Sequence, residues 1–153
     1  MIRKATQNDI PEIKKLNQIL VDYDRQFDQT IQSNWIETEN GRNYLLESLT
    51  SEDSVVLVSE NENQVNGFLI GCVTEAASYR TLEWLGELEE MVVLPEFRGK
   101  KIGEDLVRVF VEWCRSKGLN RIKVEVSADN SKGLNFYKKQ SFEYFNIILE
   151  RDI

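Results

Sequence analysis

The chain has 153 residues and no histidine, and its 26 acidic and 19 basic side chains give a formal charge of −7. Length and an apolar content of 41% fit one globular domain over residues 1–153. The missing imidazole excludes Ser-His-Asp and Cys-His nucleophilic sites and any zinc site that needs histidine.

Cys72 and Cys114 cannot form a four-cysteine metal site, and their wide spacing offers no disulfide framework, which suits a reducing cytoplasm. The polar start after Met1-Ile2 carries no secretory core. No apolar run approaches the roughly 20 residues a membrane helix needs. A net acidic chain lacks the basic footprint that nucleic-acid phosphates require. The expectation is a cytoplasmic domain with no metal, membrane or nucleic-acid partner. Its chemistry must rest on carboxylates, tyrosine, backbone groups or a cofactor.

Met1–Thr6 reads as a short strand. Asn8 and Asp9 supply capping chemistry and Pro11 suits a first helical turn, so the Ile10, Ile13, Leu16 and Leu20 spacing predicts a helix to about residue 20. Residues 22–50 interleave Tyr23, Phe27, Ile31, Trp35, Tyr44, Leu45 and Leu49 with acids, and read as one or two helices interrupted near Glu39-Asn40-Gly41. Strands are expected at Ser54–Ser59, Val65–Thr74 and Leu82–Leu94. The stripe Ile102, Leu106, Val109, Phe110 and Trp113 predicts a helix that stops at Gly118. Ile122, Val124 and Val126 alternate as a strand, Ser131–Gln140 reads as a short helix, and Phe142–Glu150 as a closing strand. Residues 87–126 thus form a βαβ unit in an α+β domain.

Charge is unevenly placed along this order. Residues 1–97 hold 7 basic and 18 acidic side chains, whereas residues 98–153 hold 12 and 8. Solvated faces fluctuate this way, but the division also fits an anionic cofactor on the second half and a cationic substrate on the first. At the boundary lies Arg98-Gly99-Lys100-Lys101-Ile102-Gly103, between a buried strand and a helix start. Glycine lets backbone N–H groups approach an anion, and the helix dipole adds partial positive charge. The loop describes a phosphate or pyrophosphate cradle, or else a tight surface turn with solvated lysines. It carries no Gly-Lys-Ser/Thr of a Walker loop and no dinucleotide fingerprint.

From Leu88 to Glu104, with Ala128-Asp129-Asn130, Phe136-Tyr137-Lys138-Lys139 and Phe142, the sequence resembles the GCN5-related N-acetyltransferase (GNAT) family. The family's phosphate loop, Arg/Gln-x-x-Gly-x-Gly/Ala, falls on Arg98 to Gly103. Two positions depart: Lys101 stands where the family usually has glycine, and Ser141 where it often does. The resemblance implies a three-layer α+β fold. Its mixed, mostly antiparallel sheet would hold a central, splayed pair of parallel strands flanked by helices.

The resemblance also implies acetyl-CoA as cosubstrate. Met91, Val92 and Val93 would pair their backbone with the pantetheine arm. Arg98, Gly99, Lys100, Lys101, Ile102, Gly103 and Glu104 would hold the pyrophosphate, and Asn130, Ser131, Lys132 and Gly133 would line the other side. Tyr137 matches the family tyrosine that bonds the CoA sulfur and acts as general acid. Strand alternation puts Glu87, Glu89 and Met91 on one face and Leu88 and Glu90 on the other. Glu89, at the position of a glutamate in polyamine-type members, is therefore the expected base, with Glu87 and Glu90 in reserve. Asp22, Asp24, Asp28, Glu37 and Glu39 among Tyr23, Phe27 and Trp35 would form a wall for a primary amine on a cationic small molecule or peptide. Family members often form homodimers. Two other readings stay open at this point, an inactive acyl-CoA-binding module and a nucleotide-phosphate-binding domain.

Overall fold

The computed structural model describes residues 1–153. In chain order it contains β1 (Ile2–Lys4), α1 (Ile10–Asp24), α2 (Glu39–Thr50), β2 (Ser54–Asn61), β3 (Gln64–Glu75), β4 (Trp84–Val93), α3 (Ile102–Ser116), β5 (Ile122–Val124) and α4 (Ser131–Lys139). The five strands form one sheet in sequence order. All neighbours pair antiparallel except β4 and β5, which run parallel over Gly86–Leu88 and Ile122–Val124. This is the mixed, mostly antiparallel α+β sheet that the resemblance implied, but its parallel pair stands at one end rather than at the centre, because no strand after α4 joins beyond β5. No helix is long and apolar enough to cross a membrane.

Strand alternation divides the apolar side chains between two faces. Val56, Val58, Phe68, Ile70 and Val92 pack under α1 and α2 with Ile13, Leu16 and Leu45. Val55, Leu57, Leu69 and Leu88 pack under α3 with Leu106, Val107, Phe110 and Cys114. Helix α3 lies so close to the sheet that a Cβ on Gly71 would stand 2.3 Å from the Phe110 ring. Gly71 is thus a close-approach glycine inside a strand.

Three local readings are corrected. Helix α1 continues past residue 20 to Asp24. Glu39-Asn40-Gly41 is the first turn of α2 rather than an interruption, because the Thr38 hydroxyl caps it by accepting from the Gly41 N–H at 3.2 Å. The expected closing strand at Phe142–Glu150 does not form: residues 143–153 join no strand and make no backbone–backbone hydrogen bond. Their run of aromatic and β-branched residues has strand character, but no neighbouring strand of the same chain pairs with it.

Candidate active site

The site begins with an irregularity in β4. Ile70 of β3 pairs with Glu90, and the next residue, Gly71, pairs with Leu88, so Glu89 has no partner and forms a β-bulge. One extra residue inverts the alternation beyond it. Leu88 therefore faces α3, while Glu90 joins Val92 on the α1–α2 face. The regular alternation expected from the sequence, which set Glu89 and Glu90 on opposite faces, is corrected by this bulge. Both carboxylates turn toward α1 and α2.

Each is held by a different helix. Asn17 of α1 donates Nδ2–H to Glu90 Oε2 at 2.7 Å, and Tyr44 of α2 donates its hydroxyl to Glu89 Oε2 at 3.1 Å. Glu87 instead pairs with Lys123 of β5 at 3.0 Å. Burial pushes Glu90 up to about 7, against the pull of the Asn17 hydrogen bond and with the help of the Glu89 and Asp24 charges. Burial also raises Glu89, which the Tyr44 hydrogen bond partly offsets, and Glu89 remains solvent-exposed. Cys72 lies beside Glu89, and its thiol is pushed up to about 12, first by burial and then by Glu89. A thiol so firmly protonated is no nucleophile.

The bulge coincides with the end of β4–β5 pairing. Strand β5 stops at Val124, opposite Leu88, whereas β4 runs on to Val93. The Leu94 N–H donates to the Asn66 carbonyl of β3 at 2.9 Å. Alternation therefore points the main-chain groups of Val93 and Met91 toward the open edge and those of Val92 toward β3. The Val93 carbonyl on that edge accepts Nε–H of Arg98 at 3.0 Å.

Just beyond lies the loop of glycines and cations. Gly99 has φ +75°, and a Cβ there would meet nothing within 4 Å. Lys101, in the family's usual glycine position, holds φ +65°, so the left-handed turn is kept with a lysine in it. Ser141 likewise holds φ +67°. The departure at Lys101 leaves the loop dihedral that of a glycine turn. No side chain caps the first turn of the 15-residue α3, so its N–H groups are free to meet an anion. Arg98, Lys100 and Lys101 are exposed around it. A Cβ on Gly103 would come within 3.2 Å of the Phe136 ring, which ties α3 closely to α4. This cradle suits a pyrophosphate. Glu104, in the same first turn, can contribute only its backbone N–H, since its carboxylate repels an anion.

Across the splay stands α4. Asn130 is buried at its N-terminus, where Oδ1 accepts from the Gly133 N–H and from the Tyr23 hydroxyl, both at 2.9 Å. That bond links α4 to the end of α1. Tyr137 sits edge-on between Phe136 and Phe142, with ring centroids 5.2 and 5.5 Å away. Burial and then the Asp24 charge raise its phenol above the ordinary value, so it stays protonated at neutral pH. Asp24 acts on both Tyr137 and Glu90, and its own carboxyl is raised by burial. Ser131 and Lys132 lie exposed in the first turn of α4.

Of the acidic wall, the structure draws only Asp24 to these groups. Asp22 accepts from Gln18, Asp28 from Thr30, and Glu37 pairs with Lys14. Tyr23 packs on Phe27, and Trp35 on Tyr44. Two residues of the site went unassigned in the sequence, Asn17 and Tyr44. Asn17 had a signal: it lies four residues after Ile13, a polar side chain on an otherwise apolar stripe.

Residues 16–142 match the model of the acetyltransferase (GNAT) family, most of the chain. The chain belongs to that family. An N-acetyltransferase of Archaeoglobus fulgidus is 30% identical over 99 residues, covering 65% of this chain and 67% of the relative. Bovine (Bos taurus) thialysine N-epsilon-acetyltransferase is 28% identical over 143 residues, 90% of this chain and 81% of that protein. The matched segment spans only 39% of MJ1207, an N-acetyltransferase of Methanocaldococcus jannaschii. Among solved structures, a tetramutant of the BH1408 protein from Bacillus halodurans superposes with a TM-score of 0.87 at 18% identity, covering 100% of this chain and 99% of that one. Aminoglycoside N-acetyltransferase AAC(6')-Iy in complex with CoA gives 0.75 at 17%, with 100% and 99% covered. At these identities the structures establish the fold. As a GNAT member the chain is an N-acetyltransferase with acetyl-CoA as cosubstrate.

Proposed function

We propose that this GNAT enzyme acetylates the primary amine of a cationic small molecule or peptide, with Glu89 as base and Tyr137 as acid. The observation that supports the reading is the β4 bulge. It turns two raised carboxylates toward the acceptor side at the point where the strand edge opens for a cosubstrate. Acetyl-CoA brings a thioester, and the protein supplies alignment and two proton transfers.

Met91 and Val93 pair through their open-edge backbone groups with the pantetheine amides, as an added strand would. Val92 contributes by keeping that edge in register. The free N–H groups of α3 with Arg98, Gly99, Lys100, Lys101, Ile102 and Gly103 hold the pyrophosphate, and Asn130 to Gly133 border the other side of the cleft. The amine arrives as an ammonium drawn by Glu89, Glu90 and Asp24. Glu89, raised yet solvent-exposed, accepts its proton directly or through one water, freeing the lone pair to attack the thioester carbon. The N–C bond forms, the C–S bond breaks, and Tyr137 donates its phenolic proton to the departing sulfur. Glu90 is half-buried and held by Asn17, so the exposed Glu89 meets the acceptor first. The like charge that helps to raise Glu89 comes from Glu87.

Thermal shift with acetyl-CoA, CoA and ATP, followed by thiol release across a panel of amines, tests this reading. Stabilisation by both CoA species and turnover with polycationic or aromatic primary amines are expected. Stabilisation by ATP alone would refute the proposal, and CoA binding without turnover on any amine would reduce the chain to a binding module.

A further inference from the structure

The bulge that sets Glu89 apart also frees it from the strand ladder. No β3 residue stands opposite it, since Ile70 pairs with Glu90 and Gly71 with Leu88. The direction of a bulged side chain is then set by whatever bonds it. The titratable and charged groups facing Glu89 are Tyr44 of α2, Cys72 of β3, Glu87 and Glu90 of β4, and Lys123 of β5. Glu87 and Lys123 pair with each other at 3.0 Å, and Glu90 takes its bond from Asn17. Two donors remain for Glu89: the Cys72 thiol, a weak one, and the Tyr44 hydroxyl, 3.1 Å from Oε2.

Tyr44 is itself firmly placed. Its ring lies tilted against Trp35, with centroids 5.4 Å apart, and the next residue, Leu45, is buried in the core below α2. Gly41, one turn earlier, packs so tightly on the chain at Trp35 that a Cβ there would collide with the Trp35 carbonyl. Burial, followed by the Glu90 and Glu89 charges, raises the Tyr44 phenol above its ordinary value, so it remains a donor at neutral and mildly alkaline pH. A fixed donor thus meets a carboxylate that the ladder does not fix.

We infer that Tyr44 is a positioning residue for acetyl transfer, its hydroxyl holding Oε2 of Glu89 so that Oε1 meets the incoming ammonium. The inference rests on the reading of Glu89 as base. The bond does two things at once. It selects one orientation of the carboxylate, and it favours the charged form, which is the form that accepts a proton. Without it the carboxylate turns freely and is protonated at a higher pH.

The pH dependence of thiol release in wild type, Tyr44→Phe, Glu89→Gln and the double variant tests this. Tyr44→Phe keeps the ring against Trp35 and removes only the donor, so acetyl-CoA should still stabilise the variant as it does wild type. Its kcat should fall about 10-fold with little change in KM. The acid limb of kcat/KM should move to higher pH by about one unit. Made in the Glu89→Gln background, the same substitution should change the rate at pH 7.5 by less than about twofold. An acid limb that stays in place or moves to lower pH, or an equal loss in both backgrounds, would overturn the positioning role and leave Glu89 as base. A Glu89→Gln variant with the wild-type rate and limb would instead overturn the base, and this inference with it.

Discussion

Glu89 and Glu90 are adjacent, chemically identical and differently placed. One is exposed and bonded by a tyrosine; the other is half-buried and bonded by an asparagine. Tyr137 completes the set, since a phenol held protonated by burial can give its proton to a leaving thiolate. Tyr137→Phe keeps the packing against Phe136 and Phe142 but removes that proton. It is expected to lower kcat about 100-fold with little change in acetyl-CoA affinity, read by thiol release and by calorimetric titration. Lys101 and Ser141 make a second residue-scale case. Both hold left-handed backbone, which costs a non-glycine residue about 1 kcal/mol. Lys101→Gly and Ser141→Gly should each raise stability by up to that amount in urea titrations. Lys101→Gly should also weaken acetyl-CoA binding as a cation leaves the cradle, whereas Ser141→Gly should not.

At the scale of elements, the bulge in β4 decides what the site is. No residue type announces it: Glu87-Leu88-Glu89-Glu90 reads as ordinary alternation, and only pairing with β3 shows that Glu89 is the extra residue. Burying Glu90 beside it has a cost with a definite pH signature. Its folded pKa of about 7 lies above the ordinary carboxylate value, so the native state holds the proton more tightly than the unfolded chain. Stability from this group is therefore full below about pH 4.5 and is lost as pH rises through 7. Glu90→Gln, which can still accept from Asn17, should be more stable than wild type at pH 8 by about 2 kcal/mol and nearly equal at pH 4.

Asp9 has the opposite sign. Arg3 clasps it through two guanidinium nitrogens, each at 2.8 Å, and lowers it to about 2. Its contribution to β1 and the start of α1 is present above about pH 4 and fades as pH falls toward 2. Asp9→Asn should cost about 1–3 kcal/mol at pH 7 and little at pH 2.5, measured by thermal melts.

For the whole molecule, the order of strands and helices up to α4 was legible because periodicity, caps and glycines agree along the chain. The loop of glycines and cations between β4 and α3 was legible as well, as a break between a strand pattern and a helix pattern. Thr38 as a cap for α2 was missed because Gly41 reads as a breaker, although glycine in a first turn costs little. Helix α1's share in the site was hidden for another reason. Tyr23 and Asp24 were expected in the acidic and aromatic wall and Asn17 stands out on an apolar stripe, but their partners Glu90, Asn130 and Tyr137 show only once the fold brings β4 and α4 against them. The tail kept its strand pattern and lost its strand, because pairing is a property of neighbours rather than of sequence. The acidic first and basic second halves meet at Arg98, in the loop between β4 and α3. Few of those acids reach the site itself: Glu89, Glu90 and Asp24 gather there.

The central claim concerns Glu89, and the pH dependence of kcat/KM for thiol release, in wild type and Glu89→Gln, tests it most directly. Burial raises the Glu89 carboxyl, so the wild-type rate should fall on the acid side at a pH above the ordinary carboxylate range. In Glu89→Gln that limb should vanish and the rate at pH 7.5 should drop about 100-fold, with acetyl-CoA binding preserved. A variant that keeps both the wild-type rate and its acid limb would contradict Glu89 as the base.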